Sequence, residues 1–310
     1  MEEEFEEKKR WWKTLLGLIF LIIVFVLIVI YWFGPFNSVS FGSSGNPNFN
    51  IDNEITEMQF YENMRYPDSK ISYRIFNCPL QKRNDIEWAF EILENRTILN
   101  FYEVENDEEI SVTCDSSVKL QEGLFIAGEG GPVEIIKSGN FNIILKGKIL
   151  LLRDSDCPTP NIATHELLHA LGFTHSTNKN NIMYNFSNCQ QTIGEDIPTL
   201  IDKIYSIESL PDLVLENVSA LMHGQYIDFN VSIRNNGFRD AEKSTIEFYV
   251  DNKHIKSFDV NELNIGTGIA ITTTNVQVFD FNIEKIKFFL NYSFSELDKK
   301  NNEIELKISN

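Results

Sequence analysis

Eleven residues, HELLHALGFTH from His165 to His175, constrain this chain more than any other stretch. Three of the five histidines in 310 residues stand here. His165 and His169 lie one helical turn apart, so on a helix both rings project from one face. Two imidazoles placed that way can share one ion. Glu166 follows the first histidine and points to the flank of that face, within reach of a water held beside such an ion. Gly172 can take the left-handed conformation that ends a helix and reverses the chain. The reversal brings His175 back as a third nitrogen donor. Three protein ligands leave one tetrahedral position open, the arrangement of a catalytic rather than a structural zinc site. The alternative is a solvated helix with unrelated histidines, and it leaves the fixed offsets of Gly172 and His175 unexplained.

With these residues the chain resembles the metzincin zinc metalloproteases, whose signature is HExxHxxGxxH followed by a methionine turn. The resemblance implies that Asn181-Ile182-Met183-Tyr184 is that turn. Met183 then forms an apolar floor beneath the imidazoles and is not a ligand; an ordinary core methionine is the alternative. Ser176 after the third histidine, and tyrosine directly after Met183, look most like the matrixin branch. The matrixin cysteine-switch propeptide is missing. Astacin-type enzymes place a metal-facing tyrosine two residues after the methionine, so Tyr184 is assigned to the wall of a specificity pocket. The fold implied for residues 55–210 is α+β, a twisted mixed sheet with an active-site helix. The implied chemistry is hydrolysis of a protein or peptide substrate with one Zn2+ ion, ligands His165, His169 and His175, and Glu166 as general base. Calcium is neither required nor excluded by the motif. The substrate is expected to lie extended along the edge of Asn140 to Leu145 by strand addition.

The N-terminus bears on location. Thr14 to Phe33 is an apolar run apart from its ends and Gly17, which as a helix covers roughly 30 Å, the thickness of a bilayer core. Trp11 and Trp12 flank one end and Tyr31 and Trp32 the other, where amphipathic rings favour the headgroup zone. Lys8, Lys9, Arg10 and Lys13 precede the run, and basic residues stay cytoplasmic. The expectation is a cytoplasmic segment 1–13, a transmembrane signal anchor 14–33, and an extracellular remainder. A cleaved signal peptide is the alternative, but no A-x-A site follows. Residues 34–54 are rich in Gly, Ser, Asn and Pro and read as a flexible stalk. A net charge of −18 repels phosphate backbones and argues against nucleic acid.

Between the stalk and residue 210, Lys70–Phe76, Ile98–Val104 and Ile110–Thr113 read as strands. Asn84 or Asp85 caps a helix with Ile86, Phe90 and Leu93 on one stripe. Gly123–Pro132 reads as a surface loop, and Lys146-Gly147 as the turn of a hairpin between Asn140–Leu145 and Lys148–Leu152. Thr192 and Glu195 form a capping-box pattern for a helix reaching about Ser206.

Residues 211–310 change character. Alternating segments at Tyr226–Arg234, Thr245–Val250, Ile269–Val278 and Lys285–Tyr292, with turns at Asn235-Asn236-Gly237 and Asp251-Asn252, predict a small β-sandwich. Pro211-Asp212-Leu213, the Asn-Gly turn and Glu296 with Asn301-Asn302 resemble the CARDB type of cell-adhesion-related domain, an immunoglobulin-like sandwich. That resemblance implies a surface partner, a bound substrate or a spacer. His223 and His254 read as surface residues.

Four cysteines in an exported chain suggest two disulfides, with four buried free thiols as the alternative. Cys157 and Cys189 bracket the whole histidine segment. A methionine turn beneath the helix brings them together, leaving Cys78 to pair with Cys114. Two functions remain: a membrane-anchored extracellular zinc endopeptidase, and a surface adhesion or binding protein with a structural metal site.

Overall fold

The computed structural model of the protein describes residues 2–33, 39–42, 58–117, 119–121, 124–278 and 283–308. Helix α1 (Glu2–Phe33) contains, from Trp11 to Ile28, the one span among the described residues long and apolar enough to cross a membrane. The expected flexible stalk needs correction. Val39–Gly42 is a strand, β1, and it belongs to the C-terminal sheet described below; the rest of the stalk lies outside the described residues.

The middle unit builds a six-stranded sheet with helices packed on it. Its elements are β2 (Met64–Arg65), β3 (Lys70–Phe76), α2 (Leu80–Glu94), β4 (Asn100–Glu103) and β5 (Ile110–Cys114). A two-residue ladder follows, β6 (Leu120–Gln121) with β7 (Leu124–Phe125), and then β8 (Gly128–Ser138), β9 (Phe141–Leu151), α3 (Asn161–Ala170) and α4 (Asp196–Tyr205). The sheet order is β2-β9-β5-β3-β4, all parallel, and β8 adds antiparallel on the other side of β9. Ile71 and Ile75 of β3, Ile110 and Val112 of β5, and Ile149 of β9 share one core with Ile86, Phe90 and Leu93 of α2, Leu167 and Leu168 of α3, and Ile197 and Ile201 of α4. The predicted apolar stripe of α2 is therefore its buried face.

Five local expectations fail for identifiable reasons. Helix α2 starts at Leu80 behind Pro79, whose ring fixes a backbone suited to a helix start, so Asn84 and Asp85 lie inside the helix rather than cap it. Gly147 is no turn. Strand β9 runs straight through Lys146-Gly147, and a Cβ at Gly147 would run into the Tyr66 hydroxyl and come within 3.3 Å of the Ala170 carbonyl. The glycine serves close approach of backbone. Asn140–Leu145 is consequently no free edge, because β9 is paired to β2 and β8 there; the antiparallel edge strand is β8. The described part of Gly123–Pro132 is mostly the start of β8 rather than a surface loop. Helix α4 begins after Glu195 with no side-chain cap. Thr192 is held instead by backbone bonds to the Asn180–Ile182 segment, and Glu195 pairs with Arg96.

Both expected disulfides form, Cys78–Cys114 between the start of α2 and the end of β5, and Cys157–Cys189 across the histidine segment.

The C-terminal unit holds β10 (Leu213–His223), β11 (Tyr226–Asn235), β12 (Ser244–Val250), β13 (Lys253–Val260), β14 (Gly268–Gln277), β15 (Lys285–Asn291) and β16 (Glu303–Ile308). The hydrogen-bonded order is β13-β12-β15-β16-β1-β10-β11-β14. Strands β11 and β12 alternate strictly, burying Ile227, Phe229, Val231 and Ile233 on one and Ile246, Phe248 and Val250 on the other. The Phe229 and Phe248 rings lie 4.8 Å apart although their strands are not ladder neighbours, so the two halves of the sheet pack face to face. Strand β1 stitches the halves, with Phe41 opposite Ala220 on one side and Ile308 on the other. At Asp251 and Asn252, φ of 45° and 67° makes the tight turn that the sequence predicts.

Candidate metal centre

Helix α3 carries the first two histidines, and nine of its ten residues are buried. It stops where expected. Gly172 has φ +95°, and a Cβ there would sit 2.8 Å from the Met64 sulfur, so this reversal needs glycine on both conformational and steric grounds. The Gly172 N–H donates to the His169 carbonyl at 2.9 Å, and the Phe173 N–H to the Leu168 carbonyl at 3.0 Å.

His165 Nδ1 lies 2.7 Å from the Ile182 carbonyl, and His169 Nδ1 lies 2.8 Å from the Phe173 carbonyl. A carbonyl only accepts, so both Nδ1 atoms carry the hydrogen and a neutral ring bears its lone pair on Nε2. Those lone pairs meet. His169 Nε2 is 2.9 Å from His165 Nε2 and 3.2 Å from His175 Nε2, and the three donor atoms lie within 4.8 Å of one another. His165 and His169 are buried while His175 is exposed, so the cluster opens to solvent on one side. Burial depresses all three imidazoles. His169 falls to about 4, with His165 adding to the effect, and His165 and His175 also fall below the ordinary histidine value. At neutral pH the three rings are deprotonated donors. The donor set, its convergence and the backbone bonds behind it fit a divalent ion of the zinc type.

Glu166 is 6% exposed and lies beside the cluster. Burial pushes its carboxyl up to about 8, Glu129 adds to the rise, and the Gly130 N–H bond opposes it. A cation on the histidines acts in the same direction as Gly130, favouring the carboxylate. The glycine-rich start of β8 explains itself here. A Cβ at Gly128 would lie 2.7 Å from Glu166 Cγ, and one at Gly130 would collide with the Glu166 backbone. Sequence reading missed these glycines; a glycine run inside a strand signals close backbone approach.

Met183 is fully buried, and its segment is tied to both ends of the motif. The Ile182 carbonyl holds His165, and the Met183 carbonyl accepts from Ser176 N–H at 2.8 Å, next to His175. Asn181 Oδ1 accepts the Met183 N–H at 2.9 Å. Tyr184 is half-buried beside Ser176, its ring 5.9 Å from that of Phe186. Phe60, also missed, stacks on the His169 ring at 5.7 Å while its N–H donates to the Gly172 carbonyl at 2.9 Å. It follows a stretch with no periodic pattern. His223 and His254 stand apart from the cluster, paired with Asp228 and Glu247.

No curated protein matches the chain. A family model does match its C-terminal part, that of CARDB, over residues 210–306. Residues 210–306 form a CARDB domain. A solved structure, the CARDB domain of the PF1109 protein from Pyrococcus furiosus in complex with di-metal ions, is similar to this chain at 17% identity with a TM-score of 0.27, covering 32% of this chain and 88% of that one. All three histidines of the centre lie before the CARDB domain.

Proposed function

We propose that this chain is a membrane-anchored zinc endopeptidase acting outside the cell. The observation that carries the reading is the convergence of three histidine Nε2 atoms beside a buried carboxyl, on a helix that ends at a left-handed glycine. His165, His169 and His175 would hold the ion. Zinc bound there supplies a Lewis acid and a water acidic enough to ionise near neutral pH. Glu166 takes a proton from the attacking water on its carboxylate and passes it to the departing amine nitrogen. The Gly130 N–H orients that carboxylate. Peptide lies along the edge of β8 that is unpaired among the described residues, where Gly128–Gly131 carries no side chain but that of Glu129. Pro132 and the register shifts after it limit pairing further along. Tyr184, next to the third histidine, lines the wall for one substrate side chain. Helix α1, with basic residues before its apolar span, supports an anchor with the N-terminus inside.

The CARDB domain favours a second reading, a surface binding protein whose metal site is structural. The two part at Glu166, because a structural site needs no base. In the full chain in detergent, Glu166→Gln should keep one zinc per chain and lose peptide hydrolysis by about 100-fold or more. Unchanged hydrolysis removes Glu166 as the base, and zinc-loaded wild type without hydrolysis supports the binding protein.

A further inference from the structure

Strand β8 begins against Glu166 and ends inside the contact with the CARDB domain. Ser138, its last residue, is fully buried, and its hydroxyl donates to the Gly237 carbonyl at 2.7 Å. Gly139 turns the chain into β9 with φ +54°, and a Cβ there would come 3.2 Å from Asn236 Cβ. Phe141 then meets the Phe238 ring edge-on at 4.7 Å, and with Ile143 they form a small core of their own between the domains. Arg65 forms the floor of that contact. It is 1% exposed, lies 4.3 Å over the Phe238 ring and 4.6 Å over that of Tyr205, and donates to the carbonyls of Ile204 and Ile207. At the other end of the same strand, the Gly130 N–H bonds the Glu166 carboxyl. A bulge near Val133 separates the two halves, but both are bonded to one continuous β9.

We propose that the CARDB domain is a positioning element for the metal centre: by gripping Ser138 and Phe141 it fixes where Gly128–Gly131 lie over Glu166. The functional consequence rests on the peptidase reading; the mechanical link does not. An edge strand with one ladder frays unless something pins it. Here the pin is close-packed contact, which transmits displacement because it has no slack. Ser138 on β8 and Phe238, through Phe141 on the paired β9, are positioning residues that act on Glu166 by way of the β8–β9 hairpin.

Hydrogen exchange on the full chain in detergent tests the link. Phe238→Ala should speed exchange of the Gly128–Gly131 amides about 10-fold while the amides of β3 and β5 hold, and Phe238→Leu should restore most of the protection. Turnover of a short peptide should fall in kcat with KM little changed. Unchanged exchange at Gly128–Gly131, or a rise spread evenly over β3 and β5, overturns the proposal. Should Phe238→Ala fail to fold, Ser138→Ala removes one hydrogen bond and should give the same local pattern at about 3-fold. The exchange pattern in the variants, found together with a zinc-loaded wild type that hydrolyses no peptide, keeps the link and sinks the peptidase.

Discussion

Buried polar side chains in the histidine unit are arranged to leave donor atoms facing one another. At the heart of the CARDB domain, Asn235 is committed to closing loops. His165 and His169 each commit Nδ1 to a backbone carbonyl and turn Nε2 toward the other rings. Asn235, fully buried, does the reverse: Oδ1 accepts from the Asp212 and Gly237 N–H groups, and Nδ2 donates to the Arg239 and Leu263 carbonyls. Asp212 accepts from Asp298 N–H and Asn301 Nδ2, and Glu296 from Leu213 N–H and Asn302 Nδ2. A buried polar group used up on backbone holds structure. One with a lone pair left over and convergent neighbours can take a ligand.

The sharpest break of this comparison comes at the metal donors. His175→Ala should weaken zinc binding by about 100-fold or more, near 2.7 kcal/mol, since losing a ligand exceeds the 10- to 100-fold cost of losing an outer partner. Stability of the metal-free chain should move by less than about 0.5 kcal/mol, because the ring is exposed. Competition with a chelating dye measures the first and denaturant unfolding the second. Unchanged affinity would remove His175 from the donor set.

Asn235→Ala should do the opposite. It leaves buried N–H and carbonyl groups without partners and should cost the C-terminal domain about 2 kcal/mol, with zinc affinity unaltered. A calorimetric scan that follows both units reads this directly. If zinc affinity falls in parallel, the two networks are not separate in kind.

What the sequence reveals follows the same division. Side-chain period carries information, so the HELLHALGFTH helix, its glycine stop, the α2 stripe and the alternation of β11 and β12 can all be read from residue spacing. Glycine carries no period. Gly128–Gly131 therefore resembles a loop and Gly147 a turn, when both allow backbone or a buried side chain to pass close by. Strand β1 is only Val39–Gly42, too short for a pattern inside a polar stretch, and its partners Ala220 and Ile308 are far along the chain. Strand β13 escaped because it is largely exposed and mixes Lys and His with its apolar residues. The resemblance to CARDB rested on Pro211-Asp212-Leu213, the Asn-Gly turn and Glu296 with Asn301-Asn302; of these, Asp212 is bonded to Asn301 and Glu296 to Asn302.

The smallest effect concerns acidity. Burial raises the Asp212 carboxyl above the usual carboxylate range, with bonds from Asn301 and Asp298 only partly opposing it. The folded state thus binds a proton that the unfolded chain has released. Stability from this group is complete below the unfolded pKa of about 3.9 and is lost as pH rises through the folded value. Exposed carboxylates of the same domain shift the other way, Asp228 through its bonds to Asn275 and His223 and Glu305 through Lys285. A bare pH profile mixes these. Asp212→Asn isolates the group, because the amide does not titrate and the other carboxylates cancel in the difference. The variant should gain on wild type steadily as pH is raised from about 4, by well under the 1.4 kcal/mol per pH unit that one full proton allows. Denaturant midpoints of the C-terminal domain at matched ionic strength measure it. A difference that grows in favour of wild type with rising pH would mean that the ionised Asp212 is the form its hydrogen bonds were built to hold, as in a site that takes up charge.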